Sequence, residues 1–499
     1  MNFKNALILQ PLVLTIFFIL LRYNDNLDEL VIADLFYVLI IFIPIVVGFT
    51  FIIKIIIKNN LKSILVSSFF TLLFFIYVPL HDVLYGFQIG SFSIGSHTIL
   101  FPILFIVSAF LIYKILKSKK NFEKILSISF VTISVLVIFN VSEIVFYSDA
   151  YSSNLDEELI QEFLIEKENF RDVYYILLDE HSGTDALQKY LNYDNSNFNK
   201  SLEDLGFFIP EKSFSNYTPT RLSIPSIVNM DYISINPELN QKEYVITLEK
   251  KVSDNLVAKI FEKNDYDIIS FHNELNMKIE TKQGIELCRN DIGSHQFLSF
   301  ILDNSAVLLL KNYIDAGNFK QLAENRLCVF NEIMSLEEET SNPVFVYAHI
   351  LLPHFPFLFD SDGTIKPYEK NLPDDLTQEY ISQLQYTDSM ILEIVEKLVN
   401  NEYPPIIIIQ SDHGLRTNPN IDDYDSMEQS FSNFSAFYFP NVEFTNKNQV
   451  ITAVNTFRIL FNENFGTNYE LLENKIFLSI EDRKFKDIAN ILISQHKLD

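Results

Sequence analysis

Five long apolar runs fill the first 147 residues: Ala6–Leu21, Leu35–Ile53, Ile64–Leu80, Ile99–Tyr113 and Ile125–Phe146. Each is close to the roughly 20 residues a helix needs to cross the hydrocarbon core, and flanking residues complete the shorter ones. One such run could be a buried core helix of a soluble domain. Five in succession predict a membrane bundle over residues 1–147. Lysine and arginine are retained on the cytoplasmic side, which sets the orientation. Lys4 precedes the first run, Lys54, Lys58 and Lys62 lie around the second loop, and Lys114, Lys117, Lys119, Lys120 and Lys124 crowd the fourth. The first loop carries Asp25, Asp28 and Glu29 against Arg22, and the third has no basic residue. The N-terminus is therefore expected in the cytoplasm and everything after Phe146 outside it. No small-x-small site follows the first run, so it reads as a retained span rather than a cleaved signal.

Charge divides the chain at the same place. Residues 1–147 hold 10 Lys/Arg and 7 Asp/Glu, net +3; the whole chain holds 38 and 64, net −26, leaving 28 and 57, net −29, for residues 148–499. So acidic a second part repels phosphate backbones and argues against a nucleic-acid partner. With 12 Gly, 17 Pro and 14% aromatics the chain fits neither a collagen-like nor a disordered class.

Residues 148–171 include an acidic stretch with apolar residues at helical spacing, expected as an amphipathic linker helix near the membrane surface or a plain connector. From 172 to 499 the pattern changes. Asp172–Leu178, Tyr266–Phe271, Val344–His349 and Pro405–Gln410 are short apolar runs suited to buried strands. Helical patterns at Asp185–Leu191, Phe198–Leu205, Ser253–Lys263 and Tyr380–Asn400 alternate with them. This alternation predicts an α/β domain with a mostly parallel sheet covered by helices on both faces. The two cysteines, Cys288 and Cys328, both fall in this part, where an oxidising compartment permits a bridge; two buried thiols fit the sequence equally.

Four segments hold the unusual polar residues: LLDEH (Leu177–His181), NYTPTRLSIP (Asn216–Pro225), HILLPHFPF (His349–Phe357) and QSDHGLR (Gln410–Arg416). Open α/β sheets bind ligands at the carboxyl ends of their strands, where three of the four would converge. Aspartates and a histidine supply oxygen and imidazole ligands suited to zinc or manganese, and a threonine hydroxyl beside such a metal becomes a nucleophile at neutral pH. The expected attack is on a phosphoryl or sulfuryl centre.

The order of these motifs resembles the alkaline phosphatase and sulfatase superfamily. With five membrane helices ahead, the chain is similar to the lipoteichoic acid synthase and lipid A phosphoethanolamine transferase group and its membrane sulfatase-like relatives. The resemblance implies Asp179 as the first acidic metal ligand and Asp412 and His413 as the later pair. It makes Thr220 both nucleophile and ligand, through its spacing to Ser223-Ile224-Pro225, with Thr218 as fallback. It implies that His354 contacts substrate phosphate or a second metal, and His349, five residues earlier, is placed to assist. Arg221 and Arg416 suit either forked hydrogen bonds to an anionic phosphate or surface ion pairs. Glu180 reads as a supporting acid or second ligand, and His181 has no assigned role. The implied cofactor is a divalent metal, manganese or zinc, with magnesium or calcium as alternatives, in a single-metal site.

One departure is informative. Tyr217-Thr218-Pro219-Thr220-Arg221 keeps the proline and arginine of the sulfatase signature but puts tyrosine where a cysteine or serine becomes formylglycine. The expected activity is transfer of a phosphoethanolamine- or phosphoglycerol-type group from a membrane lipid to a glycolipid or cell-surface polymer, at the cell membrane. A sulfatase-like hydrolase or phosphodiesterase, or an inactive membrane sensor, is the alternative.

Overall fold

The computed structural model describes residues 6–495 except 25–31, 86, 90–91, 148–169, 237–238, 240, 272–276, 278, 280–283, 289–291, 308–314, 337–341, 368–374, 416, 418, 441, 443–449 and 482. The linker expected over 148–171 falls almost wholly outside the described residues. The chain divides into two compact units: Met1–Ala150 with Asp291–Ala316, and Tyr151–Asn290 with Gly317–Asp499.

The first unit is built on five helices, α1 (Gln10–Asn24), α2 (Ile32–Ile57), α3 (Asn60–Tyr85), α4 (His97–Lys117) and α5 (Glu123–Tyr147). All five are long and apolar enough to cross a membrane, α1 with the short 3₁₀ turn before it, as the hydropathy predicts. Helices α1 and α3 are half buried, whereas α2, α4 and α5 expose most of their apolar surface, so the former pair forms the inside of the bundle. Two polar side chains of α1 are paired sideways across the bundle. Asn24 Nδ2 donates to Asn140 Oδ1 at 2.9 Å, and Gln10 Nε2 donates to Ser129 Oγ at 2.7 Å. With no water in the hydrocarbon core, such bonds tie α1 to α5 where apolar contact alone gives little preference for protein over lipid.

The expected single block over 172–499 is interrupted, because Asp291–Ala316 groups with the membrane helices. The reason is local composition. The helix Ile292–Asp303 reads IGSHQFLSFILD, and its Phe297 and Ile301, one turn apart, are each 1% exposed among Ile19, Leu20, Val38 and Phe42.

The second unit is organised by a six-stranded sheet. Its strands are β1 (Val173–Asp179), β2 (Asp267–Phe271), β3 (Ile285–Leu287), β4 (Val344–Pro353), β5 (Ile406–Ser411) and β6 (Ser435–Tyr438), in the order β3-β2-β4-β1-β5-β6. All neighbours are parallel except β5 and β6. Every residue of β1, β4 and β5 is buried, which explains why these strands read as unbroken apolar runs. Alternate residues still serve different cores: Tyr175, Leu177, Tyr347 and Ile408 point to one, and Ile176, Leu178, Val346 and Ile409 to the other. The helices that position the site are α6 (Thr220–Val228), α7 (Asp315–Ser335) and α8 (Thr377–Val399). Strand β1 is central, flanked by β4 and β5, so three strand ends open side by side.

Of the two options left by the cysteines, the structure adopts the bridge: Cys288 and Cys328 are disulfide-bonded with Cα atoms 5.8 Å apart. The closed loop spans 40 residues and includes the Asp291–Ala316 segment. On a chain-entropy estimate, a loop of this size restricts the unfolded state by about 3–4 kcal/mol. Replacing both cysteines by alanine is therefore expected to lower thermal stability measurably in non-reducing buffer, and reductant should reproduce the loss in the native protein. Identical melting of native and double-alanine proteins would contradict this role.

Candidate metal centre

Asp179 is the last residue of β1, and Asp412 and His413 immediately follow β5. Because these strands are adjacent and parallel, both aspartates leave the sheet at the same edge. His349 lies on β4 opposite Leu177, one step before the register between β1 and β4 shifts. The side chains of Asp179, His349, Asp412 and His413 are all at most 1% exposed. Ligand atoms of Asp179, His349 and Asp412 fall within 4.8 Å of one another. His413 Nε2 joins them, 3.7 Å from Asp179 Oδ1 and 3.4 Å from Asp412 Oδ2.

Each of these groups is oriented by the backbone around it. Asp412 Oδ1 accepts from the amides of His413 at 2.8 Å and Glu180 at 3.2 Å, which leaves Oδ2 buried without a hydrogen-bond partner among the described residues. Glu180 reaches that bond from a left-handed conformation, φ 68°, which costs a non-glycine residue about 1–3 kcal/mol. His413 Nδ1 lies 2.7 Å from the carbonyl of Gly414. A neutral imidazole then donates from Nδ1 and turns the lone pair of Nε2 toward the aspartates. Gly414 itself must be glycine, since a Cβ there would stand 2.2 Å from the carbonyl oxygen of Gln429 and 2.5 Å from that of Ser432. The Asp-His-Gly run is thus a packing requirement as well as a chemical one.

Thr220 opens helix α6, with Pro219 as its cap. Its Oγ1 lies 3.4 Å from His413 Nε2, and it is 5% exposed. Ser223, one turn later, donates to the carbonyl of Asp412 at 2.6 Å and fastens the helix start to the strand end. A nucleophile at this place sits at the positive end of the helix dipole, where developing negative charge is stabilised.

Two carboxylates, two imidazoles and a hydroxyl, nearly all dry, form a donor set that fits a divalent cation, and the orphaned Oδ2 of Asp412 points the same way. Burial pushes the His349 imidazole down to about 4, with the nearby His413 acting in the same direction and Asp412 against it. It is therefore neutral near pH 7, the form a metal requires.

The other predicted residues are placed differently. His354 stands just past β4, with Nε2 3.8 Å from Glu180 Oε2 and a side chain 22% exposed, consistent with a position at the rim. Its loop is clamped by the buried Arg326 of α7, which donates to the His354 carbonyl at 2.9 Å, and by Gln383 of α8, which donates to the same oxygen at 3.0 Å. The Arg221 guanidinium lies 3.8 Å from Glu249 on the helix Gln241–Ser253, and Arg416 falls outside the described residues. His181 turns away to Asp388 of α8, at 2.8 Å, and is buried. Arg326, Gln383 and Asp388 carry no motif, and their parts emerge only when distant elements meet, whereas Ser223 belongs to the Ser-Ile-Pro motif but its bond to Asp412 is not written there. His349, expected to assist substrate binding, lies instead within the aspartate group.

Two outcomes follow for this cluster. Asp412→Asn is expected to weaken metal binding by more than about 100-fold, since even supporting residues cost 10–100-fold, measured by titration of metal-free protein. Between pH 6.5 and about 4 the unfolded chain protonates His349 while the fold keeps it neutral, so metal-free stability should fall as pH drops through that window, with no contribution above it. His349→Gln should flatten that limb of a melting-temperature profile, and an unchanged slope would refute the assignment.

The family model described as Sulfatase matches residues 173–459, more than half of the chain. No curated protein sequence matches. Among solved structures, the C-terminal periplasmic domain of EcEptC from Escherichia coli is similar at 11% identity, covering 65% of this chain and 96% of that one, with a TM-score of 0.40. The integral membrane protein lipooligosaccharide phosphoethanolamine transferase A from Neisseria meningitidis covers 92% of this chain and 94% of its own at 14% identity, TM-score 0.38. The lipoteichoic acid synthase LtaP from Listeria monocytogenes covers 61% and 76% at 12% identity, TM-score 0.36. The chain belongs to the sulfatase family, as an enzyme whose family domain is joined to five membrane-type helices.

Proposed function

We propose that this protein is a membrane-anchored, metal-dependent transferase. It moves a phosphoethanolamine- or phosphoglycerol-type group from a membrane phospholipid to a glycolipid or cell-surface polymer. The N-terminus lies in the cytoplasm and the sulfatase-family unit outside the cell membrane. The observation that carries this reading is the Thr220 hydroxyl at the start of α6, 3.4 Å from His413 Nε2 and beside the Asp179–His349–Asp412 group. Tyr217 supports it by exclusion. Its ring stacks on Phe477 at 5.2 Å and its hydroxyl accepts the Ile233 amide at 3.0 Å, so the position of a formylglycine is spent on packing.

Asp179, Asp412, His413 and Thr220 would hold the cation, with His349 as a further donor, and the mixed nitrogen and oxygen set suits zinc or manganese ahead of magnesium or calcium. A bound divalent cation supplies Lewis-acid polarisation and lowers the threonine hydroxyl pKa. The chain's own residues do the rest. Thr220 Oγ forms a bond to phosphorus, the bond from phosphorus to the diacylglycerol oxygen breaks, and the hydroxyl proton passes to that leaving oxygen. An acceptor hydroxyl oxygen then bonds to the phosphorus of phospho-Thr220, the phosphorus–Oγ bond breaks, and the acceptor's proton returns to Thr220 Oγ. His354 at the rim holds the phosphate against the nucleophile. Most of the acceleration would come from this positioning and from charge neutralisation.

Incubation of the full chain with labelled phosphatidylethanolamine or phosphatidylglycerol vesicles should release diacylglycerol and label a peptide containing Thr220. Thr220→Ala should abolish both, a loss of at least about 1,000-fold for removal of a nucleophile. Full activity in that variant would overturn the choice of Thr220. Diacylglycerol release without label on any glycolipid or polymer acceptor would move the reading to a hydrolase, and no turnover of any donor with intact metal binding to an inactive sensor.

A further inference from the structure

We infer that the membrane unit holds one acyl chain of a phospholipid in a cavity between α2, α3 and α4, with the ester end of that lipid against a tyrosine–histidine stack. The cavity measures about 420 Å³ and is lined by Val46, Phe74, Leu104 and Ser108, among other apolar side chains. Ile45 on α2 and Phe105 on α4 also border it and are 59% and 66% exposed, so it opens on the face these helices turn to the hydrocarbon core. Empty space of this size forfeits packing on every wall, and an apolar void does not fill with water. In a bilayer, the abundant apolar matter able to enter from the side is a lipid chain.

The polar end separates a binding site from a packing gap. Tyr77 lines the cavity, and its hydroxyl pairs with His97 Nδ1 at 3.0 Å. The His97 ring stacks on His81 with centroids 4.2 Å apart, and His81 Nδ1 lies 2.9 Å from Asp82 Oδ1. These residues come from the last turns of α3 and the first residue of α4, the same end of both helices. Tyrosine and histidine at a helix end are groups suited to the ester and glycerol level of a bilayer, next to an apolar slot for the chain. Ala306, from the segment that joins this unit out of the sulfatase-family sequence, completes the wall. The site is independent of the catalytic reading, since none of its residues belongs to the metal cluster.

The test uses an accident of composition: the chain contains no tryptophan, so one introduced residue reports alone. Full-length Phe74→Trp, inside the cavity, is compared with Ile138→Trp, on the exposed face of α5 where the native isoleucine is 68% exposed. Both are placed in phosphatidylethanolamine/phosphatidylglycerol vesicles with increasing fractions of phosphatidylethanolamine brominated on its acyl chains. Quenching at position 74 should saturate, with its midpoint at about five-fold lower brominated fraction than at position 138, as saturable binding requires. Ser108→Phe or Val46→Phe, filling the cavity from opposite walls, should each return the position-74 curve to that of position 138, while the position-138 curve serves as the check on folding. His97→Ala should raise the midpoint at position 74 alone. Coincident curves at the two positions, or curves at position 74 unmoved by both filling variants, would overturn the proposal.

Discussion

Asp179 and Asp412 end neighbouring parallel strands and bring two carboxylates into a pocket that water does not reach. At these separations and in this burial their mutual repulsion is severe, because little solvent screens it. Among the described residues, the surrounding structure answers with fixed dipoles and imidazoles rather than with lysine or arginine. Two backbone amides point at one oxygen of Asp412, the Nε2 atoms of His349 and His413 lie close to the aspartate oxygens, and the start of α6 presents its positive end. This partial compensation holds the site together while leaving demand for a cation. A centre fully neutralised by basic side chains would bind no metal.

The same balance makes sense of an acidic domain proposed to handle phosphate. A net charge of −29 over residues 148–499 opposes an anionic substrate at long range. Attraction must then come from the short-range elements: the cation, the helix start and imidazoles such as His354. A zwitterionic headgroup meets less of this opposition than a polyanion does. Confining both protein and lipid to a membrane also raises their encounter frequency without any steering field.

Some of this was readable from local sequence because the physics is local. Apolar runs of membrane length, four isoleucines before Gln410-Ser411-Asp412-His413-Gly414, and DVYYILL before Asp179 each declare an element and its end. Gly414 shows why such a motif is legible, since close contact with two carbonyls leaves no room for another residue. Other features are not written locally. His349 sits mid-strand, and only the pairing of β4 with β1 carries it into the metal group. Arg221 stands beside Thr220 in sequence yet turns to Glu249, and His181, next to Glu180, turns to Asp388. Adjacency along a chain does not fix direction at the start of a helix or in a loop.

The sequence alone determined that the chain has an apolar five-helix part and an acidic α/β part, which strands are buried on both faces, and which strands end in aspartates. Hydropathy period and strand-end motifs suffice for that, since they depend on neighbours only a few residues apart. Tertiary structure decided the rest: the order β4-β1-β5 that gathers the donors, the Cys288–Cys328 bridge, the transfer of Asp291–Ala316 to the membrane unit, and the cavity between α2, α3 and α4. Each depends on which distant surfaces pack together, and packing free energy belongs to the whole assembly of side chains rather than to any segment of the chain.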